Sequence, residues 1–209
     1  MADFSTNFSN IKSAESTAGK SEEDRRLIML CQDGDCAAFE RLYRRYAKDV
    51  FNMALRMVGS SEIAEEVVQE TFISVFRDIR RFQFQSAFTT WLYRIALRRS
   101  ADYFRKHKKR IDKTISIFQN SPDESPFEFQ DGNPTPAERA RENERRKVLE
   151  DAIDSLSFKQ KKIVILRYIH HLSYEEIADI LQCRLGTVKS RLNRAHKSLE
   201  QALKIWDIF

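Results

Sequence analysis

The chain has 209 residues, 42% of them hydrophobic, and carries 36 Lys and Arg against 31 Asp and Glu for a net charge of +5. That is enough apolar content for one or two packed domains. Three cysteines (Cys31, Cys36, Cys183) make a poor disulfide framework, no apolar run nears the roughly 18 residues of a membrane span, and the N-terminus lacks a signal-peptide core, so the expectation is a soluble, cytoplasmic protein.

Only 5 Gly and 4 Pro punctuate the sequence, and no alternating strand pattern appears. The fold class expected is all-α, as two small helical domains joined by a flexible acidic linker. Charge follows the same division. Residues 1–24 carry −3, 25–110 carry +8, 111–140 carry −4 and 141–209 carry +4. Two basic blocks on either side of an acidic stretch suit a polyanionic partner, although charge alone also fits ordinary solvated surface.

Residues 1–24, rich in Ser, Thr and Asn, read as a disordered arm. A helix is expected from about Asp24. Asp33-Gly34-Asp35 ends it and caps the next, whose stripe runs through Ala38, Leu42, Tyr46, Val50 and Ala54 to a break at Gly59. On the helix from about Glu62 to Ile79, Val67, Val68, Thr71, Phe72, Val75 and Ile79 share one arc. Glu62, Glu66, Gln69, Glu70 and Arg77 lie opposite, with Ile73 in their midst. An apolar residue ringed by polar ones fits a docking face; a lone exposed Ile is also ordinary.

From Arg81 to Arg110 aromatic and cationic residues interleave. Leu92, Ile95, Ala96 and Tyr103 make a buried stripe. Phe88 and Trp91 stand near the helix start beside Gln83, Gln85 and Ser86, where rings could stack on unpaired bases or simply be core. Residues 111–140 hold all four prolines and read as a linker. Helices are expected again over about Asn143–Leu156 and Phe158–Tyr168.

In the stretch LSYEEIADILQCRLGTVKSRLNRA, Ser173 and Glu176 form a capping box, and Ile177, Ala178 and Leu181 share a face. Gln182 to Gly186 interrupts the pattern. A second helix is expected from about Thr187, with Val188, Leu192 and Ala195 inward and Lys189, Ser190, Arg191 and Arg194 outward. This is the helix-turn-helix plan.

The segments GDCAAFERLYRRY, IAEEVVQETF, SAFTTWLYRIA, LSYEEIA and GTVKSRLNRA, in this order across about Arg25–Lys204, resemble the extracytoplasmic-function sigma factors of bacterial RNA polymerase. The resemblance implies a sigma-two domain over 25–110, a linker over 111–140 and a sigma-four domain over 141–209. It implies core RNA polymerase and promoter DNA as partners, an anti-sigma factor as a third, and an envelope or stress response as the setting. Glu66, Gln69, Glu70 and Ile73 would bind the polymerase clamp helices. Phe84, Gln85, Ser86, Phe88, Trp91 and Arg98 would capture and flank the minus-ten element. Arg184, Thr187, Lys189, Ser190, Arg191 and Arg194 would read the minus-thirty-five element. Gln83-Phe84-Gln85 replaces the family's frequent Arg-Gly-Asp, Arg98 stands where relatives often carry Asn, and Gln182 stands where the turn often begins with Gly.

No catalytic residue, metal or cofactor is expected. Glu65 and Glu66 are paired acids on a solvated helix face, His170 and His171 are adjacent and diverge, Cys31 and Cys36 lack zinc spacing, and no glycine-rich phosphate loop occurs. A homodimeric helix-turn-helix regulator would account for 172–195 but not for the segment 81–110 or the face around Ile73.

Overall fold

The structure is a computed structural model that describes residues 22–114, 144 and 147–205, and every ordered element in it is helical. Helix α1 spans 22–32, α2 Cys36–Val58, α3 Ser61–Asp78 and α4 Phe88–Thr114, with a 3-10 turn at Ile79–Arg81. In the second unit α5 spans 147–154, α6 Phe158–Val164 followed by a π turn at Ile165–Ile169, α7 Tyr174–Leu181 and α8 Leu185–Ile205. Most of residues 1–24 and 111–140 lie outside the described residues.

The caps explain the boundaries. Asp35 accepts from the amides of Ala37 and Ala38 to start α2, and Gly59, at φ 71°, ends it in the left-handed region that glycine enters without strain. Ser60 accepts from the Ile63 amide to start α3. The Ser173–Glu176 capping box forms in both directions at the head of α7.

Three boundaries differ from the sequence expectation. Residues 22–24 belong to α1 rather than to the arm. Asp24 is buried, accepts from Arg45 Nη1 at 2.7 Å and also bonds the Tyr46 hydroxyl, while Glu23 pairs with Arg41 and Arg45. A compositional boundary cannot see an ion-pair network closed by residues twenty positions away. Residues 111–114 continue α4 instead of opening the linker. Finally, α8 begins at Leu185, so Gly186 sits in its first turn, and the left-handed residue of the turn is Gln182 at φ 49°. A Cβ at Gly186 would meet nothing within 4 Å.

The core of the first unit is built from Leu27, Ile28, Leu42, Val50, Met53, Met57, Val67, Phe72, Val75 and Leu92, all buried. The second unit buries Ile163, Ile165, Leu166, Ile177, Val188, Leu192 and Ala195. The expected inner stripe of α8 is therefore buried as expected. On α7, Ile177 and Ile180 are the buried pair, whereas Ala178 and Leu181 are half-buried.

Candidate nucleic-acid and polymerase interfaces

Three surfaces carry the residues singled out by sequence. The first is the outer face of α3. Ile73 is 60% exposed, Glu66 and Gln69 are exposed beside it, and Val67, Phe72 and Val75 point inward. Glu70 lies 3.8 Å from the Arg99 guanidinium, which also donates to Ser74 Oγ at 2.8 Å. Glu66 and Glu70 face Tyr103, whose phenol is pushed above its ordinary pKa first by burial and then by these carboxylates. Sequence reasoning missed Phe76, which is 55% exposed and packs edge-on against Phe39 at 5.0 Å. The signal was present, because position 76 is one helical step of three from Ile73. Phe39, Phe76, Arg77, Arg80 and Cys36 line a groove of about 400 Å³.

The second surface is the loop between the 3-10 turn and α4. Gln83, Gln85, Ser86, Trp91, Arg81, Arg94 and Asp78 line an open cavity of about 460 Å³. Gln85 and Ser86 reach it as expected, and Trp91 is half-buried at its wall. Arg98 is exposed two turns further along α4. Phe88 does not belong with them. It is only 5% exposed and packs on Tyr46 at 5.4 Å, Phe82 at 6.2 Å and Trp91 at 6.0 Å, so its ring is core and is unavailable to a base. Phe84 is also held. Its backbone is left-handed at φ 56°, its ring meets Phe82 at 5.1 Å, and the Arg25 guanidinium lies 5.0 Å above it.

One wall of this cavity is Asp179 of α7. Arg94 Nη2 donates to the Asp179 carbonyl at 2.8 Å, Tyr93 packs on His170 at 4.7 Å, and Phe104 packs on Phe158 at 4.7 Å. The two units thus meet along α4. The contact is imperfectly satisfied, because Arg94 Nε and His170 Nε2 are buried without a hydrogen-bond partner among the described residues. Each such atom costs about 1–3 kcal/mol. Burial, then the charges of Arg56 and His171, pushes the His170 imidazole down to about 4.

The third surface is α8 with its preceding turn. Arg184, Lys189, Ser190 and Arg194 are exposed, and Thr187 and Arg191 are half-buried. Ser190 Oγ donates to the Thr187 carbonyl at 3.1 Å, so its hydroxyl is partly committed to its own helix. None of the four cations is ion-paired among the described residues. Lys189 and Arg191, two positions apart, lie about 160° apart around the helix, so they serve opposite flanks.

Comparison with known proteins places the chain in a family. Residues 42–110 match Sigma-70 region 2, and residues 146–199 match Sigma-70, region 4. The chain is 33% identical over 181 residues to the ECF RNA polymerase sigma-E factor of Haemophilus influenzae, covering 87% of this chain and 95% of that one. It is an extracytoplasmic-function sigma factor. As such it is a promoter-specificity subunit of RNA polymerase that acts in transcription initiation. The RNA polymerase sigma-H factor of Pseudomonas aeruginosa is 31% identical over 189 residues, covering 88% of this chain and 95% of the relative. Among solved structures, CnrH in complex with the cytosolic domain of CnrY shares the fold of the sigma factor at a TM-score of 0.63 and 22% identity, over 88% of this chain and 98% of that one. RpoE from Bartonella quintana, in complex with the anti-sigma factor NepR, aligns at a TM-score of 0.59 and 23% identity, over 80% and 97% of the two chains. No described helix of the sigma factor is long and apolar enough to cross a membrane.

Proposed function

We propose that this sigma factor divides promoter recognition between its two units and docks on core RNA polymerase through α3. Ile73, with Phe76 beside it, is the apolar contact, and Glu66, Gln69 and Glu70 form the polar rim that excludes water around it. Gln85, Ser86 and Trp91 hold an unpaired base of the minus-ten element, with Trp91 supplying a stacking surface of roughly 1–3 kcal/mol per base. Arg98 meets the upstream edge. Flipping a base costs a few kcal/mol, which stacking and pocket hydrogen bonds offset without ATP. On α8, Arg184, Thr187, Arg191, Arg194, Ser190 and Lys189 contact the minus-thirty-five element. RNA synthesis remains with the polymerase, and the sigma factor itself catalyses nothing.

The observation that carries this reading is the set of unpaired cations on the helix-turn-helix, beside a buried stripe that fixes their direction. Cations without carboxylate neighbours suit phosphates and guanine edges. Run-off transcription with reconstituted polymerase, followed by sequencing of the promoters it binds, is the test. Arg191→Ala is expected to cost about 1–3 kcal/mol of specific binding while leaving polymerase binding intact. Unchanged promoter affinity at moderate salt would remove Arg191 from the site. The two solved relatives were captured with the cytosolic domain of CnrY and with an anti-sigma factor. By analogy this sigma factor works in the cytoplasm under an anti-sigma partner, in a stress or envelope response. Affinity capture from cells with and without envelope stress tests that arm.

A further inference from the structure

Helix α6 is fixed against α8. Its head is a capping box between Ser157 and Gln160, and Gln160 Nε2 also donates to Ser198 Oγ on α8 at 2.7 Å. The two lysines that follow have opposite surroundings. Lys161 is buried and donates to Asp154 at 2.7 Å, so its charge is matched. Lys162 has no carboxylate partner among the described residues. Its ammonium lies 5.4 Å from the Phe158 ring centre. The charged groups that act on it are Arg191 and Lys159, and burial first, then these two cations, pushes its pKa below the ordinary lysine value. Lys159 is three residues away, on the same face of the helix. Gln160, between Lys159 and Lys162 in the chain, also donates to the Arg194 carbonyl at 3.5 Å, which sets α6 against α8 within a turn of Arg191, and none of the three cations is ion-paired among the described residues. Like charges gathered this way repel one another, and an anion laid across them removes the repulsion.

We infer that Lys159 and Lys162, beside Arg191, form a phosphate-binding tread that grips the DNA backbone next to the groove entered by α8. The inference rests on the reading that α8 enters that groove. It assigns the lysines no part in reading bases. They set how firmly and in what register the duplex lies against the α6 flank.

The test uses holoenzyme assembled from full-length chain and core polymerase, and a promoter duplex selected by the wild type from a randomised pool. Affinity is measured between 50 and 200 mM salt. Lys159→Gln and Lys162→Gln are each expected to flatten the slope of log affinity against log salt by about 0.9. The wild type then loses about 3.5-fold more affinity than either variant across that range. The deficit is expected to be equal on a duplex scrambled at the minus-thirty-five element, both variants to select the same bases as the wild type, and Lys162→Arg to restore the slope. An unaltered slope in a folded variant overturns the tread. So does a loss confined to the selected sequence, which would make the lysines base readers. Weakened core binding at an unaltered slope overturns it too, and would assign the lysines to an acidic protein surface. Arg191→Ala is run alongside and scored by base selection. If selection survives, Arg191 leaves the site, and if it also survives Lys189→Ala and Arg194→Ala the recognition reading of α8 fails, while the lysine slopes still report on the backbone by themselves.

Discussion

The first unit and the second expose different chemistry on their working faces. The four-helix bundle over 22–114 leaves large apolar side chains in solvent, Ile73 and Phe76 above all, over a core it fully buries. The helix-turn-helix unit leaves cations in solvent, and its shorter helices bury a thinner core. An apolar side chain held outward by a rigid helix gains only when another protein covers it. A cation without a carboxylate gains only when an anion arrives. The α3 face and the α8 face thus suit different partner classes.

The sharpest test of that contrast compares two positions on one helix. Val75 is fully buried, and Val75→Glu would strand a charge in the bundle, at a cost of several kcal/mol, which unfolds it. Ile73→Glu is expected to leave the melting temperature nearly unchanged and to lower affinity for core polymerase by roughly 1.5–3 kcal/mol, the worth of its burial. Thermal melts and competition for core enzyme decide between them. If Ile73→Glu melts the bundle, its outward face is structural.

Next in size is the pair Phe88 and Trp91. Phe88→Ala should destabilise the bundle by about 3–5 kcal/mol, as a core aromatic does. Trp91→Ala should cost less stability and reduce open-complex formation on duplex promoters. It should matter less on templates already mismatched at the minus-ten element. Equal stability losses for the two would return Trp91 to the core.

The smallest effect concerns the contact between the units. His170 is neutral there, with its pKa lowered to about 4 against about 6.5 when exposed. The separated or unfolded form therefore binds more protons between these values, so the contact is at full strength above about pH 6.5 and weakens as pH falls toward 4. Small-angle scattering should show the chain expanding over that window. His170→Phe should flatten the response, and an identical expansion in that variant would relieve His170 of the role.

Much of this was legible in the sequence because helices repeat every 3.6 residues. The wheel put Ile73 outside and Val75 inside, and it found Val188, Leu192 and Ala195. It could not separate Phe88 from Trp91, which are neighbours on one face and are distinguished by what covers each: Tyr46 and Phe82 close over Phe88, whereas the cavity leaves Trp91 partly open. The left-handed conformation of Gln182 was signalled by the resemblance rather than by the wheel, since the position often holds Gly, which that backbone strains less. The Arg45–Asp24–Tyr46 network that draws residues 22–24 into α1 depends on tertiary pairing that no local pattern records.

Asp179 walls the cavity beside Trp91 and is held there by Arg94. In this arrangement the turn into α8 begins only a few residues beyond that wall. Elements named for positions ten and thirty-five lie about 25 base pairs apart, on the order of 85 Å at 3.4 Å per step. A molecule that read both elements as proposed could not keep Arg94 bonded to Asp179. A fully extended chain as long as 115–143 spans on the order of 100 Å at about 3.3–3.6 Å per residue. Shortening that stretch by ten residues is therefore expected to narrow the promoter spacings at which the holoenzyme initiates in run-off transcription.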